Sequence, residues 1–488
     1  MADARLSPLD ASFLEVESAT AHMHVGWAAV FEPPAHGPRP NFDQLRDHIA
    51  SRIGRAPRYR QRLAPVPLGV SEPAWVDDPD FDIDRHLVHA RSGDLDAIVD
   101  AVMSVPLERK RPLWEMWIAD ELDDGTIGLV GKAHHCMVDG IAAVELATLL
   151  LDAEPVPPVV DGEGWSPRPA PGPLELLLDG LAHRTIQGTR LAFAPLALLR
   201  RPGRVFQLPD LGARMARTLS RVAFPLAPAS ALNRPSSPLR HLASLRRPLD
   251  DLRTIKERTG TTVNDVVLAA CAGGLCGYLS ERGDEPISLK TMVPVNVRDD
   301  GAEGALGNRI SFMFVELPCH DLDPLRRLAS VHQATSLRKA EGDPRGTDKT
   351  LQALAYAPSP VQKMVSHLVS SPRTFNLVIS NIPGPRIPLY LRGCQLLESY
   401  PVVPLAQDHA LSIGMTTVQD DACFGFYVDR KVLPDADDLP AHVDAAIDEL
   451  LELTDRSPAP APAAEEPERA PEPEPEPEPE PTPELTPV

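Results

Sequence analysis

The stretch His134-His135-Cys136-Met137-Val138-Asp139-Gly140 joins two segments that the sequence predicts to differ in structure. The residues before it, Thr126–Lys132, form a short apolar run that is typical of a strand. The residues after it, Gly140–Leu151, are rich in alanine and leucine and favour a helix. The heptad therefore lies where a strand stops and a helix begins, and we treat it as the candidate active site.

Histidine is suited to proton transfer because its ordinary pKa lies near neutral pH. We expect His135 to act as a general base, provided that a carbonyl or a neighbouring side chain fixes its tautomer. Asp139 is expected to pair with an arginine and lock the loop, and Gly140 to permit a tight turn. Two other interpretations stay open at this point. Adjacent histidines are often core or surface residues, and an HxxxD pair can bind zinc, although no third ligand follows nearby.

Length, charge and cysteine usage exclude several classes of protein. A chain of 488 residues predicts two globular units, and a net charge of −21 argues against nucleic-acid binding. The six cysteines lack the spacing of a disulfide framework or a zinc site. The start shows no signal segment, and no uncharged apolar run reaches the about 18 residues of a spanning helix. We therefore expect a cytoplasmic protein with peripheral membrane contacts and no bound metal.

The order of segments predicts an α/β protein with two blocks and a tail. Residues 1–155 and residues 248–456 each mix strand-like and helix-like patterns. Residues 156–247 are rich in proline and arginine and are interpreted as a linker and crossover. Residues 457–488 form a Pro-Glu repeat, in which proline removes hydrogen-bond donors and the glutamates repel each other, so we expect an extended, disordered tail.

Three segments of the second block carry residues used below. A long apolar helix is predicted over Thr262–Leu279, with Asn264 near its start. A strand over Ser288–Val297 leads into Arg298, and a strand over Phe375–Ser380 is followed by Asn381-Ile382-Pro383-Gly384-Pro385.

A strongly basic segment lies inside this acidic chain. From His183 to Leu249 there are twelve arginines, no lysine and a single acidic residue, Asp210. Leucine, phenylalanine and alanine are interleaved with the arginines. Such a segment is expected to lie on the anionic headgroups of a membrane or lipid droplet. Two alternatives are that it packs on the acidic body or that some arginines bind the phosphates of a ligand.

The heptad and five other groups of residues form a recognisable set. The heptad matches HHxxxDG, the signature of the CoA-dependent acyltransferase superfamily, which includes peptide-synthetase condensation domains. The other groups follow in order and span residues 6 to about 430: Leu6–Phe13 with His22–Gly26, Arg111–Glu115, Thr262–Ala269, Val293–Arg298 and Asn376–Pro385. Together they resemble the bacterial wax ester synthase/diacylglycerol acyltransferase family.

This resemblance implies a fold and roles for individual residues. The implied fold has two similar α/β subdomains, with mixed sheets flanked by helices, joined by a crossover, and the catalytic histidine lies between them. His135, the second histidine after His134, would be the base. Asn264 would stabilise the oxyanion, although it could instead be a helix N-cap. Arg298 would pair with Asp139, although it could instead be a surface residue.

The resemblance also implies residues that shape the acyl and CoA channels, more through structure than through chemistry. These are Pro112, Leu113, Trp114, Ser380, Asn381, Pro383 and Gly384. Cys136 lies inside the heptad and is interpreted as a packing residue, because direct acyl transfer needs no covalent acyl-enzyme.

The implied activity is transfer of a long-chain acyl group from acyl-CoA, a substrate rather than a cofactor. The acceptor would be diacylglycerol, a fatty alcohol or both. Because these substrates are poorly soluble, we expect the protein at the inner membrane face or on lipid droplets. Two alternatives are an acyltransferase for another alcohol and a non-catalytic lipid-droplet protein.

Overall fold

The computed structural model describes residues 5–137, 149–156, 165–182, 225–296, 310–340 and 359–456, and every structural statement below concerns those residues. The strands are β1 (His24–Glu32), β2 (Gln61–Ala64), β3 (Ala74–Asp77), β4 (Leu87–His89), β5 (Trp114–Ala119), β6 (Ile127–His134), β7 (Arg240–Pro248), β8 (Leu289–Asn296), β9 (Ile310–Leu317), β10 (Leu377–Ile382), β11 (Tyr390–Leu391), β12 (Cys394–Val402), β13 (Leu411–Val418) and β14 (Asp421–Asp429). The labelled helices are α1 (Pro8–Val16), α2 (Phe42–Ile53), α3 (Leu95–Met103), α4 (Leu249–Thr259), α5 (Val263–Glu281), α6 (Pro324–Ala340), α7 (Ser359–Val369) and α8 (Leu439–Arg456).

Two six-stranded sheets form the frame of the fold. The first has the order β11-β12-β1-β6-β5-β4 and the second has the order β7-β14-β13-β10-β8-β9. β6, which ends at the histidines of the heptad, lies between β1 and β5 and is antiparallel to both. Both sheets are mixed, because β4 is parallel to β5 and β10 is parallel to β8 and β13. The predicted α/β architecture of two mixed sheets flanked by helices is therefore confirmed.

Each sheet includes a strand from outside its predicted block. β12 pairs with β1, so that Val402 lies opposite Gly26 in the first sheet. β7 is the edge strand of the second sheet and pairs with β14. Residues 240–247, which the sequence placed in the linker, therefore belong to the second sheet. The domain boundaries themselves stay predictions, and the tail of residues 457–488 lies outside the described residues.

The second unit is built around α5, which corresponds to the long helix predicted over Thr262–Leu279. This helix packs against α6 and α8. In the described part of the chain it alone is long and apolar enough to cross a membrane, yet 72% of its apolar window is buried inside the protein. A helix that is apolar on all sides needs partners on all sides, and α5 is accordingly a core helix.

His241 in β7 ties the second sheet to α3 of the first block. Its Nδ1 lies 2.9 Å from Oδ1 of Asp100 in α3, and its Nε2 lies 2.8 Å from Oδ1 of Asp437. Arg430 also donates a hydrogen bond to Asp100. The hydrogen bond with Asp100 raises the pKa of His241 to about 9, against the opposing effect of burial and with the help of Asp437. His241 is therefore an imidazolium at neutral pH.

This ion pair makes stability depend on pH. Because folding raises the pKa of His241, its contribution is complete below about pH 6.5 and is lost as the pH rises through about 9. We expect the contribution to be about 1–2 kcal/mol, since the exposed Asp437 is screened by solvent. Denaturant titrations of the unaltered chain and of His241→Gln should differ most near pH 6 and converge near pH 10. A difference that stays constant with pH would contradict the assignment.

Candidate active site

The histidine pair, His134 and His135, is held by the strands on both sides of β6. β6 ends at His134, and a turn over residues 135–137 follows. The backbone N–H of His134 donates to the carbonyl of Leu113, and that of His135 donates to the carbonyl of Met23, each at 2.9 Å. The predicted position of the pair, at the end of a strand, is confirmed.

Met23, which accepts the backbone hydrogen bond from His135, has a strained backbone conformation. Met23 has a φ of +50°, a left-handed conformation that residues other than glycine adopt rarely. Its carbonyl accepts the hydrogen bond from His135, and β1 begins at the next residue. Residues held in such conformations occur preferentially at functional sites, where the surrounding structure fixes them.

His134 is buried and faces protein groups with both ring nitrogens. Its side chain is 1% exposed. Its Nδ1 accepts a hydrogen bond from the backbone N–H of Cys136 at 3.1 Å, so its proton resides on Nε2. Nε2 lies 3.7 Å from a carboxylate oxygen of Glu17. His134 therefore supports the turn, and both of its ring nitrogens face groups of the protein.

His135, in contrast, is partly exposed. Its ring stacks on the ring of Phe13 in α1, with centroids 3.8 Å apart and planes inclined by 14°. The stacking fixes the plane of the imidazole, and the hydrogen bond to Met23 fixes the backbone that carries it. Of the two histidines, His135 is the more exposed.

A carboxylate and a neutral imidazole lie on the buried side of the pair. Burial tends to raise the pKa of Glu17, but the electrostatic attraction of His134 and the hydrogen bond from Arg109 outweigh it, so the pKa lies below its ordinary value. Glu17 is therefore ionised at neutral pH. His24 lies opposite His134 in the pairing of β1 with β6. Burial and then the charge of Lys132 hold the pKa of His24 well below its ordinary value, so His24 is neutral.

Cys136 is part of a small apolar cluster beneath the turn. Its buried neighbours in that cluster are Leu6, Trp75, Leu107 and Leu113. Burial raises the pKa of its thiol far above the ordinary value. A protonated thiol is a poor nucleophile, so the surroundings of Cys136 support a packing role.

Three predicted site residues, Asp139, Gly140 and Arg298, lie outside the described residues, as does most of the helix predicted after the heptad. The pairing of Asp139 with Arg298 stays a prediction.

Asn264 is the second residue of α5 and is partly exposed. The N-cap of α5 is Thr262, whose side chain accepts from the backbone of Asp265, and Asp265 completes the capping box. Asp265 is fully buried and also accepts hydrogen bonds from His332 at 2.8 Å and Thr335 at 2.6 Å. The alternative of Asn264 as N-cap was therefore wrong. The capping box leaves the Asn264 amide out of the cap.

The segment Pro112–Trp114 contacts the histidine pair through its backbone. Leu113 and Trp114 are buried, and the indole N–H of Trp114 donates to the carbonyl of Tyr59 at 2.8 Å. Because the carbonyl of Leu113 accepts a hydrogen bond from the backbone N–H of His134, this segment holds the backbone at the end of β6. The predicted role of these three residues in a substrate channel stays a prediction.

Ser380 and Asn381 lie near the end of β10, and Pro383 and Gly384 follow it. The backbone N–H of Gly384 donates to the hydroxyl of Thr417 at 3.0 Å. A Cβ atom at Gly384 would lie 1.8 Å from the carbonyl oxygen of Thr417, so this approach requires glycine. The segment is thus fastened to β13, and its predicted role in a substrate channel stays a prediction.

The residues before β1 connect the histidine pair to the second unit. Helix α1, which carries Phe13, packs against α7. Glu15 forms an ion pair with Lys363 at 2.7 Å, and the hydroxyl of Ser18 donates to Gln407 at 2.6 Å. The histidine pair is therefore bounded by a segment that contacts both units.

The arrangement can perform acid–base chemistry with His135 as the acceptor of a proton. Within the described ranges, no group of three or more His, Cys, Asp or Glu residues is placed to hold a metal ion. Sequence reasoning gave no role to Glu17 or Phe13. Phe13 lies in a segment that carried the family resemblance, but its contact with the histidine pair is tertiary, and nothing in the local pattern marks it.

Comparison with known families matches most of the chain. The model of the wax ester synthase/diacylglycerol acyltransferase catalytic domain matches residues 6–267, and that of the WS/DGAT C-terminal domain matches residues 306–451. The chain is 34% identical over 479 residues to the Mycobacterium tuberculosis protein named "Probable diacyglycerol O-acyltransferase tgs1", covering 92% of this chain and 96% of that protein. It is 32% identical over 463 residues to "Probable diacyglycerol O-acyltransferase tgs2" of the same organism, covering 91% and 98%.

Solved structures agree with this assignment. The wax ester synthase/diacylglycerol acyltransferase from Marinobacter aquaeolei VT8 is 27% identical, with a TM-score of 0.67 over 93% of this chain and 100% of that chain. The first condensation domain of the calcium-dependent antibiotic synthetase is 17% identical, with a TM-score of 0.57 over 94% and 98%, and shares the fold. The chain belongs to the wax ester synthase/diacylglycerol acyltransferase family and is an acyltransferase enzyme.

Proposed function

We propose that the enzyme transfers a long-chain acyl group from acyl-CoA to the hydroxyl of diacylglycerol, with His135 as the general base. The observation that carries this proposal is the contrast within the histidine pair. His135 is partly exposed and stacked on Phe13 at the end of β6, whereas His134 is buried and faces the protein. The family and the names of the mycobacterial relatives support acyl transfer to diacylglycerol.

In the proposed reaction, His135 removes the hydroxyl proton while the acceptor oxygen attacks the thioester carbonyl. The new C–O bond turns the carbonyl oxygen into an oxyanion, and the side-chain amide of Asn264 donates a hydrogen bond to it. The tetrahedral intermediate collapses, the C–S bond breaks, and the leaving CoA sulfur takes the proton from His135. Acyl-CoA supplies the acyl group, so the reaction needs no cofactor and no acyl-enzyme.

A long-chain alcohol is the second acceptor in this proposal, because the Marinobacter relative is named a wax ester synthase as well. We expect purified enzyme with labelled palmitoyl-CoA to give triacylglycerol from diolein and wax ester from hexadecanol. A reaction without acceptor measures hydrolysis. Wax ester alone would move the assignment to the alcohol, another product would require a different acceptor, and no product with either would contradict the proposal.

We also propose that the enzyme works peripherally at the cytoplasmic face of a membrane or on lipid droplets, where both acceptors reside. In β7, Arg246 and Arg247 are paired with carboxylates of the protein itself, so they are not available to headgroups. Arg240 is buried, and Arg234 is exposed. Membrane contact is therefore assigned to Arg234 and to residues 183–224, whose eight arginines lie outside the described residues.

The membrane proposal predicts a loss of binding when these charges are removed. Vesicles containing phosphatidylglycerol should carry the enzyme upward in a flotation gradient, because each cation near an anionic surface contributes about 1 kcal/mol. A variant with Arg214, Arg217 and Arg221 changed to glutamine loses about 3 kcal/mol of this attraction and should bind the vesicles about 100-fold more weakly. Equal flotation of the two proteins would show that these arginines do not mediate membrane binding.

A further inference from the structure

We propose that Glu17 is a positioning residue, whose carboxylate holds His134 and thereby the turn that presents His135. The inference rests on the proposed function, because it concerns the same histidine. It assigns no contact between Glu17 and the substrate.

One end of α1 contacts both members of the histidine pair. Phe13 and Glu17, the C-cap of α1, are four residues apart, which places them on one face of the helix. Phe13 stacks on His135 with ring centroids 3.8 Å apart. A carboxylate oxygen of Glu17 lies 3.7 Å from Nε2 of His134. A single helical face therefore fixes both rings.

The hydrogen bond at the other side of His134 directs a proton toward Glu17. Because Nδ1 accepts from the backbone N–H of Cys136, Nε2 must carry the proton in the neutral ring. The distance of 3.7 Å to Glu17 is an electrostatic contact, longer than a hydrogen bond. At a buried position such an attraction is only weakly screened, so it favours the tautomer that the turn requires.

Glu17 is itself held in place. Arg109 donates to the carboxylate of Glu17 and, at 3.3 Å, to the carbonyl of Leu14 one turn earlier. The side chain of Glu17 is 10% exposed. A carboxylate at such a position requires partners, and it has Arg109 on one side and His134 on the other. Contacts therefore run in series from Arg109 to Glu17, from Glu17 to His134, and from His134 to the turn that contains His135.

Loss of one of these contacts would displace His135 without removing its imidazole. If His134 rotated or changed tautomer, the N–H of Cys136 would lose its acceptor and the turn would relax. His135 is the residue between them in the chain. A displacement of about 1 Å in a reacting group costs about 100-fold in rate.

Glu17→Gln tests the inference, since it keeps the size of the side chain and removes the charge. We expect kcat to fall about 10–100-fold, as for other residues that orient a functional histidine. The KM for palmitoyl-CoA should stay within about twofold, because the lost interaction acts on the base. Glu15→Gln is the matched control. It removes the same charge from α1 at an exposed ion pair with Lys363, and kcat should not change.

The double variant separates positioning from a general structural defect. If Glu17 acts through His135, Glu17→Gln should cause no further loss of the residual activity of His135→Ala. If Glu17→Gln lowered the residual activity of His135→Ala by a further 10–100-fold, as it lowers kcat of the unaltered enzyme, the inference would be overturned. An active His135→Ala enzyme would instead overturn the proposed function. An inactive His135→Ala enzyme together with a fully active Glu17→Gln enzyme would overturn the inference alone.

A measurement on the unaltered enzyme applies even if Glu17→Gln does not fold. Nitrogen NMR of the histidine-labelled full chain reports which ring nitrogen carries the proton. The signals of His134 are identified by their absence in His134→Asn. We expect the Nε2–H tautomer at neutral pH, and an Nδ1–H tautomer would overturn the inference.

Discussion

Alanine in place of His135 is expected to lower kcat about 10²–10⁴-fold, the range that a positioned general base contributes. The neighbouring histidines His22, His24 and His134 are not expected to replace it, since all three are buried. Steady-state rates with labelled palmitoyl-CoA and diolein measure the effect. The KM for palmitoyl-CoA should change little, because the base acts on the acceptor hydroxyl in the transition state.

The stability of the same variant provides the control. His135 is partly exposed, so His135→Ala should unfold at nearly the same denaturant concentration as the unaltered chain. His134→Ala removes a buried acceptor from the N–H of Cys136 and should cost about 1–3 kcal/mol. Full activity of a folded His135→Ala enzyme would refute the assignment of the base.

Asn264→Ala is expected to lower kcat about 10²–10³-fold, the cost of removing one oxyanion donor. The structure separates this role from helix capping, because the N-cap is Thr262 and its partner is Asp265. The free energy of unfolding should therefore change by less than about 0.5 kcal/mol. On one preparation, kcat is measured by end-point assays with labelled palmitoyl-CoA, and the free energy of unfolding is measured by denaturant titration.

Thr262→Ala is the matched comparison for Asn264→Ala. Loss of the cap should cost about 1 kcal/mol of stability, with a much smaller effect on kcat than Asn264→Ala. The opposite result, an Asn264→Ala enzyme with normal kcat and reduced stability, would assign the amide to the helix and leave the oxyanion without this donor.

Local sequence patterns were sufficient to place the histidine pair and α5. The apolar run before the pair predicted a strand, and β6 ends at His134. The apolar run after Thr262 predicted a long helix, and α5 follows it closely. In both cases the element is buried on all sides, so that it appears in the sequence as a continuous apolar run.

Contacts between distant parts of the chain were beyond that reasoning. Phe13 and Glu17 reach the histidine pair only because α1 folds back onto the end of β6. Whether Thr262 or Asn264 is the N-cap depends on which residue is the first of the helix. The sequence locates that residue only to within a few positions. The pairing of β12 with β1 follows from the tertiary arrangement of both units.

This pairing has a consequence for how the enzyme is made. β1 belongs to the start of the chain and β12 to its last quarter, so a ribosome completes almost the whole polypeptide before β12 emerges. During that time β1, the neighbour of β6, has one edge without a partner. An unpaired strand edge can capture the edge of another nascent chain. Completion of the first sheet is therefore a late event of biosynthesis. A truncated N-terminal half would carry the histidine pair on a sheet that lacks β11 and β12.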